Sequence, residues 1–163
     1  MKKLLVSNTG PIIALALINR LDILKTIFQN VVIPDAVQKE LLDGGTSSPG
    51  ILPYKKASWI QIKSLSSKMD PLLQTVLDIG EASVIQLARE LKADYVLIDE
   101  RKGRKIARDI FDLKVIGTAR ILVDAKKNGI LNNVGDAIKQ MKDTGYWIHD
   151  DIVQFALKEA KEI

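Results

Sequence analysis

The chain of 163 residues has no cysteine and a single histidine, His149. Without cysteine there are no disulfides, thiolate zinc sites or cysteine nucleophiles, and one histidine rules out a multi-histidine metal site within one chain. Any bound metal must therefore be held by oxygen. Long apolar runs are also missing: the longest candidate, PIIALALI from Pro11 to Ile18, falls well short of the ~20 residues that span a bilayer, so no membrane partner is expected. The N-terminal MKKLLVSNTG carries two lysines, but Ser7, Asn8 and Thr9 interrupt its apolar stretch and no small-residue cleavage site follows. It does not read as a signal peptide, and the expected address is cytoplasmic. No glycine-rich phosphate loop follows the first apolar run, which counts against a nucleotide cofactor and a doubly wound small-molecule phosphate enzyme. There is no internal repeat and no low-complexity tract.

The chain is 47% hydrophobic, normal for a globular protein, and its length suits one domain over residues 1–163 with a sizeable core. Net charge is +4 and the pI is near 9.2, which favours anionic partners. Distribution says more than the total. Basic residues concentrate in RKGRKIAR from Arg101 to Arg108, directly after the apolar run YVLI.

Lys3 to Ser7 carries Leu4, Leu5 and Val6 in a short unbroken apolar run, the pattern of a strand covered on both faces in a parallel sheet, and Val31 to Ile33 and Tyr95 to Ile98 read as further strands. Trp59 to Lys63 alternates and reads as an edge strand, and Val115 with Ile116 as a last short strand. Helices are expected over Pro11 to Asn19, Leu21 to Phe28, Pro34 to about Leu42, Pro71 to Leu77, Glu81 to Leu91 with a joint near Gly80, and a basic helix to about Ile110. Thr118 to Asn128, Val134 to Asp143 and Asp151 to Glu162 are expected as C-terminal helices, the first two closed by Gly129 and Gly145. DGGTSSPGILPYKK from Asp43 to Lys56 has the composition of a loop. Strands alternating with helices imply an α/β fold: right-handed crossovers and a parallel sheet with helices on both faces.

Four segments place an acid or amide at a strand mouth or on the helix beside it: VSNTGP with Asn8, PDAVQKEL with Glu40, GEASVIQLA with Glu81 and YVLIDE with Asp99. Strand carboxyl ends in an open parallel sheet converge on one crevice, so these side chains are expected to meet. Like charges so packed raise one another's pKa unless a cation compensates, and oxygen-only clusters suit Mg²⁺ or Mn²⁺. The chain reads as a metal-dependent hydrolase acting on phosphates. Each residue taken alone has a simpler use: Asn8 as a helix cap, Glu40 as a solvated surface residue, Glu81 as a carboxylate favoured by a helix dipole. Asp99, ending YVLI at the carboxyl edge of a central strand, is harder to assign that way. Arg101, Arg104, Lys105 and Arg108 are spaced to share one helix face suited to tracking phosphates, and a solvated face explains the spacing equally well. Tyr146 and Trp147 can stack on bases, with core packing of a C-terminal helix the favoured use.

VSNTGPIIALALINRLDIL, VVIPDAVQKEL, GEASVIQLARELKADYVLIDERKGRKIA and VIGTARILVDAKKNGIL, in that order, resemble the PIN domain from about Leu4 to Leu131. The resemblance is to the prokaryotic branch of PIN-like predicted nucleic-acid-binding proteins. It implies an α/β/α sandwich on a mainly parallel sheet, core about 1–131, with a helical C-terminal extension over about 132–163. It further implies a Mg²⁺- or Mn²⁺-dependent ribonuclease with RNA as substrate, many members being VapC-type toxins with a small protein antitoxin, and a homodimer. The family's four acidic positions fall on Asn8, Glu40, Glu81 and Asp99, and Thr9 matches the supporting hydroxyl. Glu100 has no secure counterpart. Asp99 and Glu81 are expected as main metal ligands, Glu40 as ligand or water-orienting base, and Asn8 as a weak ligand. Asn8 stands where the family has aspartate, which lowers the ligand charge on which ion affinity depends. A second expectation is therefore a nucleic-acid-binding protein on the same fold whose chemistry Asn8 has switched off.

Overall fold

Apolar runs without alternation need cover on both faces, and they build the centre of the sheet. The computed structural model describes residues 3–44 and 50–163. Five parallel strands, β1 (Leu4–Ser7), β2 (Asn30–Pro34), β3 (Ile60–Lys63), β4 (Tyr95–Leu97) and β5 (Val115–Ile116), lie in the order β3-β2-β1-β4-β5 with helices on both sides. This is the expected α/β/α sandwich. Leu5 pairs with Val31 on one side and Tyr95 on the other, Val6 with Val32 and Val96, and both are fully buried. The alternating run Trp59 to Lys63 supplies β3, an edge strand with only its first residue buried.

The helices are α1 (Thr9–Leu17), α2 (Asp22–Ile27), α3 (Asp35–Asp43), α4 (Ile51–Lys56), α5 (Pro71–Val76), α6 (Ile79–Leu91), α7 (Arg101–Asp109), α8 (Thr118–Lys127), α9 (Val134–Asp143) and α10 (Asp150–Glu159). Helix α6 crosses β1, β2 and β4 and buries every residue from Gly80 to Ala88. An all-round buried helix cannot show an amphipathic stripe. Gly80 lies inside this helix, not at a joint before it, because Asp78 caps the N-terminus by accepting from the Glu81 N–H at 2.9 Å.

The stretch expected as a loop from Asp43 to Lys56 is corrected at its end: Ile51–Lys56 is helical, and 45–49 lies outside the described residues. Tertiary burial overrides composition there. Gly50 at φ +80° starts the turn where a Cβ would stand 3.2 Å from that of Ala16, and Ile51 and Tyr54 are buried, α4 lying against α1. The C-terminal helices join the same apolar cluster through Ile121, Leu122, Met141, Ile148 and Ala156.

The strand order sets the position of a site. From β1 the chain proceeds to β2 and β3 on one side and reaches β4 and β5 on the other, so the order reverses between β1 and β4. Crevices outside strand carboxyl ends open at such a reversal. Asn8, one residue beyond β1, donates its backbone N–H to Leu97 O at 3.0 Å across that seam.

Candidate metal and nucleic-acid site

A groove of about 1220 Å³ opens at the reversal, and Asn8, Thr9, Glu40, Glu81, Asp99, Arg101 and Arg104 all line it. Lys105 and Arg108 are not among its lining; both are exposed further along α7, and Arg108 pairs with Asp109 at 3.3 Å. The four strand-mouth positions are thus brought to one groove, in two distinct settings.

Glu81 is the first setting. It sits in the first turn of α6, only 3% exposed, and its Oε2 is buried with no hydrogen-bond partner. Asp78 and Glu100 approach it, one ligand atom from each of the three lying within 4.8 Å of the others. Burial, then the neighbouring Asp78 and Glu100 carboxylates, push the Glu81 carboxyl up to about 9. A helix dipole stabilises a first-turn carboxylate by about 0.3–1 kcal/mol, too little against burial beside two like charges. With no cation, Glu81 is therefore protonated at neutral pH. A hard divalent cation reverses that balance, since oxygen-only sets are what Mg²⁺ and Mn²⁺ take and a cation inverts the local pKa logic. The orphaned oxygen inside a three-carboxylate set fits such an ion.

Asp78 and Glu100 were missed as site residues in the sequence. Asp78 carried a signal as an N-cap residue at the start of the Glu81 helix, where it accepts from the Glu81 N–H. Glu100 follows Asp99 at the strand end, where only the fold shows that it turns toward Glu81.

Asp99 is the second setting, held by donors. The Thr118 N–H reaches Oδ1 at 2.7 Å, the Thr118 hydroxyl reaches Oδ2 at 2.5 Å, and the Tyr146 hydroxyl also donates to Oδ2. Burial, the Asp99 charge and this hydrogen bond raise the Tyr146 pKa, so the phenol remains a donor. Arg104 donates to Ile98 O at 2.8 Å beside Asp99 and is half-buried. Burial lowers its pKa and the Asp99 charge opposes that.

Glu40 is exposed and accepts from the Thr9 hydroxyl at 2.8 Å. Its carboxylate packs on Gly80, where any Cβ would collide with Oε1. Asn8 occupies the N-cap position of α1, but its side chain makes no capping bond, so the cap expectation is corrected and the amide lines the groove. The core-packing expectation holds for Tyr146, which packs against the apolar core, and is corrected for Trp147. Tyr146 is half-buried against Asp99, Trp147 is 70% exposed, and both line the groove. The residue that fills the core at this corner is Ile148, 6% exposed.

Among the described residues, no helix is long and apolar enough to cross a membrane. Compared with known proteins, the chain matches a family model described as PIN domain over residues 4–162. No curated protein matches it.

Proposed function

The chain belongs to the PIN domain family, a nuclease-type fold, and we propose that it is a divalent-metal-dependent ribonuclease hydrolysing RNA phosphodiesters. The observation that carries this reading is the buried, unpartnered Glu81 Oε2 within reach of Asp78 and Glu100 at the reversal of the sheet. A bound Mg²⁺ or Mn²⁺ would supply charge neutralisation and Lewis-acid polarisation of a phosphoryl oxygen. Asp78, Glu81 and Glu100 would hold it, with Asn8, Glu40 and Asp99 as the further oxygen donors of the same groove.

The chain's own groups divide the remaining work. Glu40, exposed and oriented by Thr9, is placed to accept a proton from water as a general base. Asp99, fixed by Thr118 and Tyr146, keeps its charge in one position at the groove wall. Arg101 and Arg104 bring cationic groups to the groove for the scissile phosphate, and Lys105 with Arg108 extend the basic face beyond it. The same reading carries a toxin role with a small protein antitoxin.

The direct test incubates pure protein with a mixed RNA pool in Mn²⁺, Mg²⁺ or EDTA. Cleavage is expected with either metal and none in EDTA, and Glu81→Gln and Asp99→Asn should each abolish it with the circular dichroism spectrum unchanged. Equal cleavage in EDTA would sink the metal assignment. A second reading, a nucleic-acid binder on this fold with its chemistry switched off, is favoured by the neutral Asn8 amide and by the two Asp99 oxygens already engaged by protein donors. RNA retained but uncut in every metal decides for it.

A further inference from the structure

Helix α10 is lightly seated. It lies against α8 and α9, and of its ten residues only Ala156 is buried, whereas α8 buries six of its own and α9 four. Yet α10 forms one wall of the groove, to which it contributes Asp151, Ile152, Phe155, Ala156 and Glu159. Ile152 and Phe155 are 45% and 63% exposed, so the apolar face of this wall adds little to its seating. Elements with few buried apolar contacts open at the smallest free energies. Something besides apolar packing must hold α10 in place.

The holding group is Glu162, which is not part of the groove lining. Its carboxylate is 12% exposed and joins the ends of three helices. Oε2 accepts from the Val134 N–H at 2.7 Å and from Lys126 Nζ at 2.9 Å, and Oε1 accepts from the Gly135 N–H at 2.8 Å. Val134 and Gly135 open α9, where N–H groups have no partner inside the helix, and Lys126 lies in the last turn of α8. Burial raises the Glu162 pKa, but the bonds from Lys126, Gly135 and Val134 outweigh it and leave the carboxyl below its usual range, so it is charged at neutral pH. Charge-assisted bonds are roughly twice as strong as neutral ones.

The chain bends to make this contact. A Schellman turn closes α10, the Glu162 N–H donating to Leu157 O at 2.9 Å and the Lys161 N–H to Lys158 O at 3.0 Å. Lys161 occupies its left-handed position, φ +59°, where glycine is usual and a Cβ is disfavoured. At Gly135 a Cβ would stand 3.2 Å from both Glu162 Oε1 and Leu157 Cδ2, so the start of α9 fits closely against the turn.

We propose that α10 is a movable wall of the groove and that Glu162 is its latch, a positioning residue acting from outside the groove. Seated, the carboxylate holds α10 against α8 and α9. Released, it lets the helix lift and widen the way to the groove. The near end stays tied through Ile148, 6% exposed, so the far end is the one that moves. The latch governs access whatever reaction is carried out in the groove.

Because the chain has no cysteine, a single introduced thiol reports the wall's motion. Ala156, 2% exposed, is exchanged in Ala156→Cys, and the full metal-free chain is labelled with a thiol reagent with and without Glu162→Gln. Hydrogen exchange is followed in parallel on chains that keep Ala156. In Glu162→Gln the amides of α10 should exchange roughly 10- to 100-fold faster, the equivalent of one charged hydrogen bond lost, and labelling should quicken by a similar factor, with β1 and β4 unchanged. Lys126→Met should act in the same direction. Lys161→Gly, which relieves the left-handed turn, should slow exchange in α10. Exchange and labelling unchanged in Glu162→Gln overturn the latch. Equal acceleration in α10, β1 and β4 means that α10 opens only with the whole molecule, and overturns the movable wall. Acceleration confined to the first turn of α9 makes Glu162 a helix cap alone, which overturns the latch as well.

Discussion

Glu81 concentrates the conflict between folding and function in one carboxyl group. Its pKa is raised from 4.5 to about 9 by burial and by Asp78 and Glu100, so at neutral pH the folded, metal-free protein holds a proton that the unfolded chain releases. The resulting stability is fully present below pH 4.5 and is lost as pH rises through about 9. The metal-free stability should therefore fall between pH 5 and pH 9, by at most about 1.4 kcal/mol per pH unit, and the thermal midpoint with it. Glu81→Gln should flatten that fall, and an identical profile in the variant would remove Glu81 as its source. Mn²⁺ bound at the cluster would displace the proton, so metal-induced stabilisation should grow over the same pH interval. Asn8 is the second decisive residue. Asn8→Asp adds a charged ligand of nearly the same shape, which should enlarge the Mn²⁺-induced rise in midpoint while lowering the metal-free midpoint through repulsion. Each kcal/mol corresponds to about 2–4 °C at this chain length. If differential scanning calorimetry shows no larger metal effect in the aspartate variant, Asn8 is not a ligand.

At the scale of elements, one helix shapes the carboxylate cluster by leaving room for it. Helix α7 passes Glu81 at Gly103, where a Cβ would stand 2.5 Å from Glu81 Oε2 and 3.3 Å from Ile98 Cγ2. Glycine inside a helix costs about 1 kcal/mol relative to alanine, so on propensity alone Gly103→Ala should stabilise α7. The steric effect opposes this, because buried Glu81 has little space in which to retreat. Gly103→Ala is expected to keep full helical circular dichroism while weakening Mn²⁺ binding by about tenfold or more, that is about 1.4 kcal/mol. Titration calorimetry showing wild-type affinity would mean that the carboxylate reaches the ion by another rotamer. The basic face of the same helix is less uniform than its spacing implied. Arg104 is turned inward onto Ile98 O, Arg108 is paired with Asp109, and Arg101 faces the groove.

For the whole molecule, a charge of +4 with three carboxylates gathered at one point means that the surface attracts anions while the centre of the groove repels them until a cation is present. Metal binding and RNA binding should thus be mutually favourable, each raising the affinity for the other by the same factor. Phe155, Ile79 and Leu52 are more than half exposed, and apolar area of this kind can be covered by a second copy. The homodimer that the family resemblance implies is checked by sedimentation at micromolar concentration. A two-protomer mass is expected, and a monomer at every concentration would remove it.

The sequence by itself determined the strands and most helices, because both are local: unbroken apolar runs state a doubly covered strand, and prolines and glycines mark helix ends. Asn8 and Asp99 follow strands β1 and β4, and parallel strands must deliver their carboxyl ends to one edge, whereas Glu40 and Glu81 reach the same groove from helices α3 and α6. The sequence misread Ile51–Lys56, whose helix depends on burying Ile51 and Tyr54 against α1 and not on its own composition. Only the tertiary structure decided which carboxylates share a cluster. Asp78 and Glu100 join Glu81 through the packing of α6 against the end of β4, while Asp99 is drawn away by Thr118 and by a tyrosine 47 residues further along the chain. Periodicity records which face of an element is buried, but the identity of a neighbour across the sheet is set by crossings between distant elements. For the same reason Trp147, expected in the core, is outside it, while its neighbours Tyr146 and Ile148 pack inward.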